Sequence, residues 1–217
     1  MSTIELAPRD IGTIYCVGRN YVAHAKELNN PVPDEPVIFT KARSSVCPLS
    51  GSIALPQALN RCDHETEIAV RLGHDLYQTD ESTIVNGISH IGMALDLTLR
   101  EKQTELKQQK YPWDLAKTFT NACPLSPMLV FDHNTMALNN LEFSLHINGE
   151  IRQQGNSSDM LFSIVKLIQF LAAKIPLMAG DLILTGTPEG VGPLNHGDEL
   201  VLTLQNQMMG KARIERS

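Results

Sequence analysis

Residues 141–147 alternate apolar and polar side chains, and the alternation ends on Asn148-Gly149. Period-two alternation marks a half-buried strand, because successive side chains leave opposite faces. Asn-Gly is favoured where both central residues of a two-residue turn need positive φ, as a type I′ hairpin requires. A hairpin is therefore predicted here. Gly-Asp pairs at 180–181 and 197–198 each lead into an Ile/Leu/Val/Thr run, and both runs read as strands. Apolar runs at 12–17, 36–41, 65–72 and 90–99, and a tail from Gly210, add further strands. One stretch, 158–174, is clearly amphipathic and reads as a helix, capped by Ser157 or Ser158 and ended before Pro176. Short helical segments are expected at 82–86 and from Asn20 to Leu28, with Asn20 as the cap. Asn29-Asn30-Pro31 stops the latter, and 29–35 reads as a loop. Many short strands around one long helix make an α+β, β-rich fold. No linker or repeat interrupts the chain, so residues 1–217 are expected to form one domain.

Composition narrows the function. Hydrophobic residues are 42% and charged residues 19% of the 217, a globular balance. The formal net charge is -6 and Lys and Arg form no run, so nucleic acid is not an expected partner. No apolar stretch approaches the roughly 20 residues a membrane span needs. Residues 1–10 lack the basic and apolar regions of a secretion signal. Cys16, Cys47, Cys62 and Cys123 show no CxxC spacing and read as free thiols in a reducing compartment. Cytoplasm is the expected location.

His64-Glu65-Thr66-Glu67-Ile68-Ala69-Val70 carries the chemistry. On a strand Glu65 and Glu67 point the same way, with Ile68 and Val70 opposite and small Ala69 leaving room on the carboxylate side. Two such carboxylates tolerate each other if both reach water, if a cation lies between them, or if one keeps a proton. Asp96 sits in the apolar run Ile91-Gly-Met-Ala-Leu-Asp96-Leu, where an unpaired charge is costly. Three hard oxygen ligands suit Mg²⁺ or Mn²⁺. Spacing alone equally allows a solvated strand face with Asp96 capping a turn.

His24 and Glu27 lie three apart on the short helix and share a face. A carboxylate beside a histidine fixes its tautomer and raises its basicity, as a general base needs; an ordinary surface pair has the same spacing. Lys117 is suited to a substrate carboxylate or oxyanion, or to snorkelling at the surface. Arg19 can meet an anionic substrate, or remain a solvated loop charge. Thr185-Gly-Thr187-Pro188-Glu189-Gly190-Val-Gly192 lacks the lysine of a phosphate loop, but its N–H groups and Thr187 can grip a carboxylate.

Several stretches together resemble the fumarylacetoacetate hydrolase family, in its short, single-domain acylpyruvate hydrolase branch. They are Val17-Gly-Arg-Asn-Tyr-Val-Ala-His24-Ala-Lys-Glu27, Pro36-Val-Ile-Phe-Thr-Lys41, His64-Glu-Thr-Glu67, Ala94-Leu-Asp96-Leu-Thr98, Pro112-Trp-Asp-Leu-Ala-Lys117 and Leu184-Thr-Gly-Thr-Pro188-Glu-Gly-Val-Gly192. The resemblance implies a mixed β-sheet roll of the family's C-terminal-domain type, in a homodimer. It implies a metal, Mg²⁺ or Mn²⁺, on Glu65, Glu67 and Asp96. It makes His24 and Glu27 a water-activating dyad on a lid segment. Lys117 is then catalytic and, with Thr187, Arg100, Gln103 and Arg19, contacts the substrate. Glu101 replaces the Asp more usual after that arginine, and the fourth carboxylate ligand of longer members has no counterpart in 18–21.

The activity so implied is metal-dependent hydrolysis of a C–C bond in an acylpyruvate-type 2-oxo acid, acylpyruvate or fumarylpyruvate. Oxaloacetate decarboxylation and 2-oxo acid tautomerisation share the same enolate and are the alternatives. A non-catalytic metal-binding homologue is a further reading, against which the His24–Glu27 pair argues.

Overall fold

The computed structural model describes residues 2–28, 31–56 and 61–216. Asn29 and Asn30, expected to end the first helix, lie outside them. The fold is strand-rich α+β. Among the described residues, a nine-stranded mixed sheet runs from Thr3–Ile4 at one edge to Val37–Lys41 at the other. At its centre Thr66–Leu72 pairs antiparallel with Ile88–Leu95 and with Leu182–Leu184, and the latter lies parallel to Ile14–Gly18. A five-stranded sheet holds Glu142–Ile147, Glu150–Asn156, Glu199–Leu204, Gln207–Arg216 and Ser50–Leu55. A three-stranded ribbon joins Cys62–His64 to Gly192–Pro193 and Thr98–Leu99.

The Asn148-Gly149 hairpin forms as expected. Ile147 faces Glu150, and φ is 54° at Asn148 and 85° at Gly149. The Gly-Asp turns also form, with Gly180 at φ 95° and Gly197 at 89°. Each aspartate closes its turn, Asp181 accepting from Met178 N and Asp198 from Asn195 N.

Alternation on Thr66–Leu72 sends Ile68, Val70 and Leu72 into the larger core, with Phe143, Leu145 and Leu202 of the second sheet. Each such side chain contributes roughly 1.5–3 kcal/mol of burial. Ala69 belongs to a smaller core on the other face, with Ile14, Cys16, Leu182 and Leu184. The space beside Ala69 is therefore filled by apolar packing, which separates Glu67 from Arg71, the next polar side chain on that face. All four cysteines are free thiols. Among the described residues, no helix is long and apolar enough to cross a membrane.

Three expectations need correction. The run 90–99 is two strands, Ile88–Leu95 and Thr98–Leu99, with Asp96 at the break. The long helix expected at 158–174 is a 3-10 turn, Ser157–Asp159, then a helix, Ile164–Ala172, capped by Ser163. Asn20 is not a helix cap; the helix Val22–Glu27 follows Tyr21. Asn20 instead bonds the segment between that 3-10 turn and helix. Its Oδ1 accepts from Phe162 N at 2.8 Å, and its Nδ2 donates to the carbonyls of Phe162 (3.0 Å) and Thr185 (2.8 Å). Those bonds hold the Phe162 backbone away from helical partners, so the last two corrections have one cause. A further helix, Arg100–Gln109, went unread because its buried face consists of Gln103 and Leu106 alone.

Candidate active site

The ribbon and the large sheet meet at two strand breaks. Glu65 lies between Cys62–His64 and Thr66–Leu72, and Asp96 between Ile88–Leu95 and Thr98–Leu99. Asp96 N donates to Glu65 O at 2.8 Å, tying the breaks together. With Glu67 opposite Ala94, three carboxylates converge, one oxygen from each within 4.8 Å of the others. Their exposures are 5% for Glu65, 2% for Glu67 and 0% for Asp96, which removes the solvated-face alternative.

Buried charges need partners. Lys117 is 2% exposed and is no snorkelling surface residue. Its Nζ donates to Glu65 Oε2 (2.7 Å), Asp96 Oδ2 (2.5 Å) and Thr98 Oγ1 (2.8 Å). Lys41 Nζ donates to Asp96 Oδ1 at 2.7 Å. Arg100 bonds Glu65 and also Asp63 (3.0 Å) and Gln103 (2.8 Å). Burial alone would raise the Glu65 carboxyl, but Lys117 and Arg100 outweigh it and hold it well below the usual range. Burial likewise disfavours the charged Lys117, yet Asp96 and Glu65 keep its pKa above the ordinary lysine value.

Glu67 differs. It forms no ion pair among the described residues and accepts from Gly186 N at 2.7 Å. Burial, then Asp96 and Glu65, push its carboxyl well above the usual range. A divalent cation among these oxygens would offset that repulsion, and an all-carboxylate donor set fits Mg²⁺ or Mn²⁺.

Opposite the carboxylates, His24 Nδ1 lies 3.2 Å from Glu27 Oε2. Glu27 Oε1 accepts from Gly190 N at 3.0 Å. The glycine-dense turn therefore grips two of the chain's own carboxylates, Glu67 through Gly186 and Glu27 through Gly190. Gly190 has φ 92°, and a Cβ there would sit 2.1 Å from Arg152 O, so no other residue fits. Thr187 Oγ1 accepts from Gln153 Nε2 at 2.8 Å. The Oε1 of Gln153 accepts from Thr66 N at 3.0 Å and meets His64 Nδ1 at 3.0 Å.

Every site residue named from the sequence except Glu27 lines one cavity of about 30 Å³: Arg19, His24, Glu65, Glu67, Asp96, Arg100, Gln103, Lys117 and Thr187. That volume holds one or two waters. Glu27 stands behind His24. Sequence reasoning missed Lys41, Asp63, Gln153 and Lys107, the last another cavity-lining residue. Two signals were available. Asp63-x-Glu65-x-Glu67 puts one carboxylate too many on a face to lack cations nearby. Arg100, Gln103 and Lys107 have the i, i+3, i+7 spacing of a single helix stripe.

A family model described as fumarylacetoacetate (FAA) hydrolase C-terminal matches residues 13–215. The chain is 43% identical to oxaloacetate tautomerase YcgM of Escherichia coli K12, over 92% of this chain and 91% of that one. It is 37% identical to the mitochondrial oxaloacetate tautomerase FAHD1 of Bos taurus, over 94% and 91%. Among solved structures, fumarylpyruvate hydrolase from Pseudomonas aeruginosa, in complex with Mn²⁺ and pyruvate, matches with a TM-score of 0.86. It is 26% identical, over 95% of this chain and 91% of that one.

Proposed function

The chain belongs to the fumarylacetoacetate hydrolase family, and from that premise we propose that it is a metal-assisted enzyme interconverting the keto and enol forms of oxaloacetate. The observation that carries this reading is a His–Glu pair facing three converging buried carboxylates in one cavity. The oxaloacetate tautomerases, at 37% and 43% identity, favour this reaction over C–C hydrolysis. Hydrolysis of an acylpyruvate is the second reading, supported by the likeness to the fumarylpyruvate hydrolase.

In this reading Glu65, Glu67 and Asp96 hold Mg²⁺ or Mn²⁺, which when bound supplies a Lewis acid for the 2-oxo acid end of the substrate. Glu27 holds the proton on His24 Nδ1, leaving Nε2 with its lone pair as the base. His24 takes a proton from C3 of the keto form. Lys117, whose three N–H groups go to Glu65, Asp96 and Thr98, gives up the neutral Thr98 hydroxyl to donate to the C2 oxygen as negative charge gathers there. His24 then gives that same proton to the C2 oxygen, which completes the enol and restores the neutral imidazole with no co-reactant consumed, and the reverse path returns it to C3. Arg100 and Gln103 orient the substrate carboxylate from the helix Arg100–Gln109. A homodimer completes the reading.

Following the ultraviolet absorbance of enol-oxaloacetate tests it. Decay should accelerate with protein and Mg²⁺ or Mn²⁺, return to the spontaneous rate in EDTA, and fall at least about 100-fold in His24→Ala. Cleavage of acetylpyruvate without tautomerisation would decide for the hydrolase.

A further inference from the structure

The cations lining the cavity fall into two groups. Lys117 and Arg100 are ion-paired with Glu65, Asp96 and Asp63, so their charges are already compensated by the protein. Arg19 and Lys107 also line the cavity, yet among the described residues neither forms an ion pair with a carboxylate, and Glu65 acts on Lys107 only from a distance. Glu65, Glu67, Asp96, Lys117 and Thr187 are buried, whereas Arg19, Lys107, Phe39 and Trp113 are half-buried. The paired charges thus form the floor and the unpaired ones the rim.

Two features keep Lys107 at that rim. It lies four residues after Gln103 and seven after Arg100, so the helix stripe that carries both into the cavity carries Lys107 too. Its Nζ also sits over the Trp113 ring, 5.0 Å from the centroid, and Trp113 packs against Phe39 at 5.7 Å. A ring face steadies an ammonium by only about 0.5–1 kcal/mol at exposed sites and supplies no counter-charge. Arg19 is held with φ 61°, an uncommon backbone for a non-glycine residue that is found where surroundings fix a side chain's place. Burial, then the like charges of Arg19, Arg100 and Lys117, bring Lys107 down to about 8, so these neighbours disfavour its charge. An anion between Lys107 and Arg19 would reverse that.

We propose that Lys107, with Arg19, receives the distal carboxylate of the substrate and so selects 2-oxo dicarboxylates over 2-oxo acids with an uncharged tail. The inference rests on the site reading above, in which the 2-oxo acid end lies on the carboxylate floor. An acid extended from there toward the rim presents its far end to the two unpaired cations. A neutral tail leaves both cations half-buried without a partner, and sites built for a polar group reject analogues lacking it.

The test compares oxaloacetate with its 4-methyl ester in the presence of Mg²⁺, by tautomerisation rate and by calorimetric binding. The proteins are wild type, Lys107→Met, Lys107→Arg and, as a control for lost positive charge on the same helix, Lys102→Met. In Lys107→Met the oxaloacetate-to-ester ratio of kcat/KM should fall about 10–100-fold, mainly through KM. Lys107→Arg should keep most of the ratio, and Lys102→Met all of it. Binding of oxaloacetate should weaken relative to the ester by a similar factor. If Lys107→Met lowers both substrates equally, or leaves the ratio unchanged, Lys107 does not read the distal carboxylate, whatever the reaction. Binding selectivity through Lys107 without turnover would overturn the proposed reaction and uphold the inference. Binding of neither compound would overturn both.

Discussion

Glu67 is the carboxylate whose charge the fold compensates least. In metal-free protein its folded pKa lies well above the ordinary carboxylate value, through burial and then Asp96 and Glu65. A raised folded pKa contributes stability that is full below the unfolded value and is lost as pH rises through the folded one. Glu65 has the opposite shift, so the wild-type profile mixes the two. Comparison with Glu67→Gln isolates Glu67, because Gln copies the protonated form. In EDTA, urea unfolding should find the variant more stable than wild type by about 1–3 kcal/mol near pH 8, the scale of an uncompensated buried polar group. The difference should shrink toward zero below about pH 4.5, where Glu67 is protonated in both states. Parallel pH profiles would refute the assignment. In the sequence, Asp96 inside an apolar run was a legible anomaly, because a buried charge demands a partner. Lys41 was not legible, since nothing local in the sequence distinguishes a lysine that reaches a buried carboxylate from one in water.

The turn 185–192 shows how an element can be legible in kind and not in use. Its glycines were readable as a turn able to grip a carboxylate; that the carboxylates are Glu67 and Glu27 depends on contacts across 119 and 163 residues. Gly190→Ala should separate catalysis from folding. The added Cβ meets Arg152 O, and φ 92° is strained for Ala, so a destabilisation of about 1–3 kcal/mol is expected. Because relief of that clash shifts the residue-190 N–H away from Glu27, kcat should fall about 10–100-fold at temperatures where the variant is fully folded by circular dichroism. Unchanged kcat in folded variant would show that Gly190 does not orient the dyad. The Asn148-Gly149 hairpin was read correctly because its signal is local: alternation, then a dipeptide suited to positive φ. The 158–174 stretch departs from its helical pattern because Asn20, more than a hundred residues earlier, bonds the Phe162 backbone. Arg100–Gln109 has no apolar stripe to read; its ordered face is polar because it lines the site.

At the scale of the molecule, the carboxylates sit where the chain passes between the three-stranded ribbon and the nine-stranded sheet. Glu65 and Asp96 occupy the two breaks, and Glu67 is the second residue of the central strand Thr66–Leu72, which buries Ile68 and Val70 between the sheets. The family and the α+β class were readable because the motifs and turn signals run in order along the chain. The convergence of the breaks was not, because it depends on sheet register. A cation held at this junction binds residues that come together only in the folded chain, so its binding free energy adds to global stability. With free Mg²⁺ or Mn²⁺ at about 100 times its Kd, the unfolding free energy should rise by about 2.7 kcal/mol. For a chain of this size each kcal/mol moves the melting temperature by about 2–4 °C. In the proposed reading His24 serves the substrate and not the ion, so Glu67→Gln should remove most of that response while His24→Ala keeps it. If the wild-type melting temperature is the same in EDTA and in saturating Mg²⁺ or Mn²⁺, the carboxylates do not hold a divalent ion. If His24→Ala loses the response as fully as Glu67→Gln, the histidine belongs to the metal site and the division of labour across the cavity is wrong.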